Sequence, residues 1–170
     1  VTECFPCENA GEMLQKLTER MGSLFPSMTT VEATNPQVKV KNVSPSLEEY
    51  CAPAFYLTPP LDDTDNNVIY INQKNSPDGL ELFTTLAHEG YPGHMYQSVY
   101  SNKLLAGQDT GLVRQLLWYG GYLEGWALYV EFLSYDCASG LMEERGYSPQ
   151  AEYIQIEKHN RSLQLCLYSL

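Results

Sequence analysis

Residues 87–94 read AHEGYPGH, and this stretch decides how the middle of the chain can fold. Where a helix binds zinc, two histidines on one face hold the metal and a glutamate after the first deprotonates the water that the metal activates. Such histidines are usually four residues apart, which leaves them roughly 40° apart around the helix axis. His88 and His94 are six residues apart, which on a regular helix separates them by about 120°.

A break in the helix between the two histidines would remove this mismatch. Pro92 supplies a cause, because its ring clashes with the carbonyl of His88 and its nitrogen donates no hydrogen bond. Gly93 permits unusual backbone dihedrals that could return His94 to the face of His88. The segment is therefore compatible with two histidine ligands and with Glu89 as a general base. The alternative is two unrelated histidines beside a broken helix.

The second informative segment is residues 115–133, QLLWYGGYLEGWALYVEFL, whose charged residues are Glu124 and Glu131. A helix that is apolar on nearly all sides is buried, and a buried carboxylate is costly unless it is paired or bound to metal. Glu124 follows His94 by 30 residues, which predicts a third metal ligand from the next helix, as in a gluzincin. Glu131 shares its face and could orient a ligating histidine. The alternative is that these glutamates pair with arginine, the candidates being Arg114, Arg145 and Arg161.

Tyrosines are concentrated in the same part of the chain. Of 13 tyrosines, seven lie between Tyr91 and Tyr135. In zinc hydrolases a tyrosine hydroxyl often stabilises the oxyanion that develops on the scissile carbonyl. Tyr122 and Tyr129 flank Glu124, so they are the predicted candidates, and aromatic packing is the alternative role.

The rest of the pattern predicts an α+β fold with a small antiparallel sheet packed on helices. Residues 10–21 carry apolar side chains at helical spacing. Residues 38–43 alternate between apolar and polar side chains, and residues 54–57 and 68–72 are further strand candidates. In such a fold the strand at 68–72 could offer a free edge to an extended substrate.

Helical patterns dominate after the strands. Asp78 and Glu81 form a possible capping box for the motif helix. Helical spacing resumes at residues 95–105 and again at residues 112–133, and the pair Ser148–Pro149 resembles a helix start. The sequence stops at Leu170 inside a helical run. We therefore expect residues 1–170 to form a single domain, the catalytic core excised from a longer chain.

Composition excludes several classes of protein. The 170 residues are 44% hydrophobic, which excludes a mainly disordered chain. A net charge of −11 argues against nucleic acid as a partner. No apolar run approaches the roughly 20 residues that span a membrane, and residues 1–4 show no export signal. The cysteines number five, and we expect free thiols, with a redox or zinc role for the Cys4–Cys7 pair as the less favoured reading.

Together the two motifs resemble a bacterial family catalogued as domain of unknown function 885. The resemblance rests on the pattern HExxPGHxxQ over residues 88–97 and on the pattern YxEGWALYxE over residues 122–131. Upstream stretches of the chain are similar too: LFP at 24–26, PAFYLTPP at 53–60 and VIYIN at 68–72. Members are several-hundred-residue proteins, often secreted or lipid-anchored, and are regarded as candidate zincin-type metallopeptidases.

The resemblance implies a zinc ion as cofactor and a role for each matching residue. His88, His94 and Glu124 would bind the metal, and Glu89 would act as the general base. Arg161 stands where the family has an arginine in a C-terminal helix, and it would bind substrate or Glu124. This chain departs from the pattern at Met95, where members often have a second consecutive histidine.

The sequence therefore predicts an enzyme that hydrolyses a peptide or a related amide with zinc. Its catalytic residues would be Glu89, Tyr129 and Arg161. Two alternatives remain. One is a peptide- or glycan-binding module in which the histidines and glutamates form a buried polar network. The other is a structural metal site closed by a fourth protein ligand.

Overall fold

The computed structural model describes residues 5–27, 37–60, 63, 65–75, 79–105 and 119–169. Within these residues, helix α1 and three strands come first along the chain, and four further α-helices follow. The bounds of these elements are α1 Ala10–Met21, β1 Gln37–Asn42, β2 Ala54–Leu57, β3 Asn66–Ile71, α2 Gly79–Glu89, α3 His94–Leu105, α4 Gly120–Glu144 and α5 Ser148–Tyr168. The predicted α+β class is confirmed.

The sheet is mixed, with the strand order β1-β3-β2. The antiparallel arrangement predicted from sequence is correct for β2 and β3 and wrong for β1 and β3, which run parallel. The cause is the connection over residues 43–53, which crosses the end of β3 before β2 begins. The buried amide of Asn72 holds this connection by donating to the carbonyls of Glu48 (2.7 Å) and Cys51 (3.0 Å).

This order changes which strand offers a free edge. Because β3 lies between its two neighbours, the expectation that residues 68–72 form an edge is wrong. The edges are β1 and β2, and β2 is the strand that contacts α2.

The motif helix α2 lies at the centre of the packing. It contacts α1, α4 and β2, and its side chains Phe83, Leu86 and Ala87 are buried. The predicted helix α1 is confirmed with the same bounds and buries Leu17 in the same core. Burial of α2 on several sides fixes the direction in which its C-terminal end points.

The long helix differs from its predicted bounds. It begins at Gly120 within the described residues and continues to Glu144, beyond the predicted end at Leu133, because buried side chains such as Met142 extend its apolar face. Residues 112–118 and the predicted cap Asp78 lie outside the described residues. Helix α5 begins at Ser148 with proline in its first turn, as predicted.

Helices α4 and α5 pack antiparallel. The hydroxyl of Ser139 donates to the carbonyl of Ala151 (3.1 Å), and Lys158 Nζ lies 2.7 Å from both carboxylate oxygens of Asp136. Within the described parts of the chain, none of the helices has the length and apolarity needed to cross a membrane.

The expectation of free thiols is confirmed for the four cysteines that the structure describes: Cys7, Cys51, Cys137 and Cys166. Cys4 lies outside the described residues, so the predicted Cys4–Cys7 pair is not placed by the structure.

Candidate metal centre

The helix breaks between the two histidines, as the spacing predicts. Helix α2 ends at Glu89 and α3 begins at His94. A Cβ atom on Gly93 would lie 1.7 Å from the carbonyl oxygen of His88, so glycine is required here for space. The structure shows a need for space and not for a positive φ at Gly93, because the described glycines with positive φ are Gly79 and Gly146.

The break brings the two imidazoles together. Their ring centroids are 4.9 Å apart and their planes are nearly perpendicular, at 84°. One potential ligand atom from each of His88, Glu89 and His94 lies within 4.8 Å of the others. The side chains of both histidines are about four-fifths buried. The sequence-predicted cluster is therefore assembled by the fold.

Glu124 reaches this cluster from α4. One carboxylate oxygen lies 3.5 Å from His88 Nε2, and the other lies 3.5 Å from His94 Nε2. The predicted burial of this carboxylate is wrong for the described chain, since its side chain is 61% exposed. Its ionic partners among the described residues are the two histidines, and no arginine of the described chain forms an ion pair with it.

Glu131 orients His88 from the opposite side of the ring. Its carboxylate lies 2.9 Å from His88 Nδ1 and is 12% exposed. Burial by itself lowers the pKa of His88, but the hydrogen bond to Glu131 and the carboxylates around the ring outweigh it and raise the pKa. Because Nδ1 is engaged, Nε2 is the nitrogen that faces the cluster.

Arg161 approaches Glu131 and not Glu124. Its Nε atom lies 3.6 Å from a Glu131 carboxylate oxygen. The alternative of an arginine partner is therefore confirmed for Glu131. Arg161 of α5 therefore contacts Glu131 of α4, which in turn contacts His88 of α2.

Glu89 joins the cluster to the sheet. Its Oε2 atom accepts a hydrogen bond of 2.9 Å from the backbone N–H of Tyr56 in β2. Tyr56 is paired with Ile69 of β3 on one side of the strand, and this N–H is directed to the free edge. The carboxylate is thus fixed by backbone geometry within reach of both histidines.

A cavity of about 590 Å³ opens beside the cluster, between α2, α4 and α5. Helix α2 lines it from Leu80 to Glu89, and α4 contributes Glu131 and Tyr135. Helix α5 contributes three side chains: Tyr153, Glu157 and Arg161.

The predicted tyrosines do not line this cavity. Tyr129 is 55% exposed and its ring packs against Trp126, with centroids 6.2 Å apart, while Tyr122 is 68% exposed. Sequence reasoning missed Tyr135, although helical spacing offered a signal. Tyr135 lies four residues after Glu131 and therefore on its face, whereas Tyr129 is turned about 140° from Glu124.

Trp126 is a second residue that sequence reasoning missed. Its indole Nε1 donates to the carbonyl of Pro92 at 2.8 Å. This bond joins α4 to the break between α2 and α3. It therefore sets the position of Glu124, two residues earlier, relative to the histidines.

Comparisons with known proteins agree with these motifs. The family model described as "Bacterial protein of unknown function (DUF885)" matches residues 5–162. A solved structure, described as the putative lipoprotein from Colwellia psychrerythraea, is 25% identical in sequence, with a TM-score of 0.52. The match covers 91% of this chain and 26% of that protein, so the chain spans about a quarter of its length. No curated protein matches the sequence.

Proposed function

We propose that this chain, which belongs to the DUF885 family of bacterial proteins of unknown function, hydrolyses a peptide or related amide bond with Zn²⁺ as cofactor. The observation that carries this proposal is the convergence of two imidazole Nε2 atoms on the Glu124 carboxylate, beside Glu89. Two histidines and one carboxylate as metal ligands, with a second glutamate beside them, are the residues of a catalytic zinc site.

The distances fit such a site. Zinc bonds to nitrogen and oxygen are about 2.1 Å long, so neighbouring ligand atoms of a tetrahedral site are roughly 3.4 Å apart. Both separations between the Glu124 carboxylate and a histidine Nε2 are 3.5 Å. The two contacts use different oxygens of that carboxylate, so His88, His94 and Glu124 are the residues that would hold the ion, and three protein ligands leave a position for water or substrate.

The chain's own residues divide the reaction between them. Zinc in such a site supplies Lewis acidity, which polarises the scissile carbonyl and acidifies water. Glu89 would take the proton of the attacking water and return it to the leaving amine. Glu131 keeps Nε2 of His88 free for the metal, and Arg161 holds Glu131 and borders the cavity.

An extended peptide is the substrate that best fits the neighbouring sheet. Strand β2 is an edge strand, and its Tyr56 N–H already bonds Glu89. A substrate strand that adds to this edge would place its backbone beside the cluster. This assigns to β2 the role that the sequence suggested for residues 68–72.

The test is the Glu89→Gln substitution, with exposed Glu143→Gln as a control of equal charge change. We expect Glu89→Gln to retain about one zinc per chain and to lose at least ~100-fold in peptide turnover, as removal of a general base requires. Metal content is measured by mass spectrometry on protein purified without chelators or metal-affinity resin, with His88→Ala as the metal-free reference. Unchanged turnover in Glu89→Gln contradicts the mechanism.

Metal content also distinguishes the alternatives. A binding module whose histidines and glutamates form only a polar network needs no zinc. A structural site would bind zinc without an exchangeable water and without turnover.

For the whole protein we propose a secreted or lipid-anchored location, which the description of the Colwellia psychrerythraea structure as a lipoprotein supports.

A further inference from the structure

The cavity beside the metal centre extends well beyond it. Along α2, Glu81 and His88 both line the cavity, and seven residues of helix separate them by about 10.5 Å along the axis. On α5, Glu157 lies one turn from Arg161, or about 6 Å along the axis. Arg161 contacts Glu131 beside His88, so Glu157 is displaced away from the metal centre, towards the end of the cavity where Glu81 lies.

The two ends of the cavity differ in charge. At the end where the metal is proposed to bind, the negative charges of Glu89, Glu124 and Glu131 would be neutralised by the positive charges of a zinc ion and of Arg161. At the far end lie Glu81 and Glu157, and among the described residues that line the cavity the one arginine or lysine is Arg161. The neighbouring cation Lys158 is bound to Asp136, 2.7 Å away. Metal loading therefore leaves the far end negative.

Aromatic side chains complete this end of the cavity. Tyr135 and Tyr153 line it together with the two carboxylates, and Tyr153 is hydrogen-bonded to Glu157. Carboxylates and aromatic faces both attract organic cations. The cavity volume of about 590 Å³ is within the usual range of ligand sites, roughly 300–1,000 Å³.

We propose that the far end of this cavity is a subsite for a cationic group of the substrate, an ammonium or guanidinium held between Glu81 and Glu157. This inference rests on the proposed function, because it deepens the substrate class of the same site. A span of about 10 Å from the metal fits a lysine or arginine side chain beside the scissile bond. It also fits an amino terminus two extended residues away, at about 3.5 Å per residue.

The experiment measures peptide affinity by calorimetry on the zinc-loaded Glu89→Gln chain, so that hydrolysis does not intervene. Three probes are compared: acetyl-Ala-Ala-Lys-Ala-Ala-amide, the same peptide with Gln in place of Lys, and that neutral peptide with a free amino terminus. Each is also titrated into chains that carry Glu81→Gln or Glu157→Gln. The control is Glu152→Gln, an exposed residue of α5 that does not line the cavity and gives the same change in charge.

We expect at least one cationic probe to bind about two- to fivefold more tightly than the acetylated neutral peptide, as an ion pair at a partly exposed site provides. Both cavity substitutions should remove the preference and Glu152→Gln should keep it. Preference for the lysine probe assigns the subsite to a side chain, and preference for the free amine assigns it to an amino terminus.

Equal affinity for all three probes overturns the subsite, as does an equal loss in the Glu152→Gln control. Repeating the titration without zinc separates this inference from the proposed function. A cation preference in a chain that binds no zinc supports the subsite and contradicts the hydrolase. Zinc-dependent turnover without any cation preference supports the hydrolase and contradicts the subsite.

Discussion

At the scale of single residues, Glu131 determines which nitrogen His88 directs towards the proposed metal site. Its carboxylate holds Nδ1 at 2.9 Å, and Arg161 supports that carboxylate. Partners of this kind orient a ligand and typically contribute 10–100-fold to metal affinity. We expect Glu131→Ala to weaken zinc binding by about 10–100-fold and Glu131→Gln, which can still hydrogen-bond, to weaken it less. Competition with a chromophoric chelator measures the effect, and equal affinity of Glu131→Ala and parent would contradict it.

The described cysteines provide a second prediction at this scale. Burial raises the pKa of the Cys137 thiol to about 11, whereas Cys166 is exposed. Because the thiolate is the reactive form, a raised pKa keeps Cys137 protonated and unreactive at pH 8. Brief treatment with iodoacetamide at that pH should label Cys166 before Cys137. Peptide mapping by mass spectrometry gives the order, and early labelling of Cys137 would show that its environment is open.

Residue types at the site could be predicted from the sequence, but their exposure and the choice of tyrosine could not. The histidines and Glu89 were identified because a known metal-binding pattern needs them in that order, and the structure brings them together. Tyr129 was selected for its closeness in sequence to Glu124, while the cavity is lined by Tyr135. Tertiary packing determines which face of a helix another element covers, and the sequence pattern of that helix alone does not predict this face.

At the scale of elements, the break between α2 and α3 depends on close backbone approach at Gly93. An alanine there would place Cβ at 1.7 Å from the His88 carbonyl oxygen, and the nearby backbone cannot yield as a flexible side chain would. We expect Gly93→Ala to lower the melting temperature clearly and to abolish zinc binding. Circular dichroism and metal content measure both effects.

Gly125 provides the matched control for this substitution. It lies in α4, and an added Cβ meets nothing within 4 Å. Since alanine favours a helix over glycine by about 0.5–1 kcal/mol, Gly125→Ala should leave stability unchanged or raise it. Equal behaviour of the two variants would show that the close approach at Gly93 is not needed.

The strands show where sequence patterns stop at this scale. The sequence located the strands closely: the candidates were residues 38–43, 54–57 and 68–72, and the strands are Gln37–Asn42, Ala54–Leu57 and Asn66–Ile71. The parallel pairing of β1 and β3 was not predicted, because it depends on the connection between β1 and β2 and not on a pattern within either strand. Residues 43–53 are long enough to cross β3, and the buried Asn72 amide that fastens this crossing is a long-range contact. The edge strand beside Glu89 is therefore β2 and not β3.

At the scale of the whole molecule, the proposed ligands connect three helices. His88 lies in the last turn of α2, His94 begins α3 and Glu124 lies in α4, so zinc would stabilise the packing of these three helices on one another. At a free zinc concentration of 100 times the dissociation constant, binding adds about 2.7 kcal/mol to the free energy of unfolding. For a chain of this size we expect the melting temperature to rise by roughly 5–10 °C.

The zinc-dependent rise should disappear in His94→Ala and shrink at pH 5.5. The first follows from the loss of a ligand. The second follows because histidines must release their protons to bind zinc, and the carboxylates around His88 favour its protonated form by raising its pKa. Thermal unfolding with zinc or with a chelator measures both changes. If His94→Ala shows the same rise as the parent chain, zinc binds elsewhere, and the link between the metal and the packing of α2, α3 and α4 is wrong.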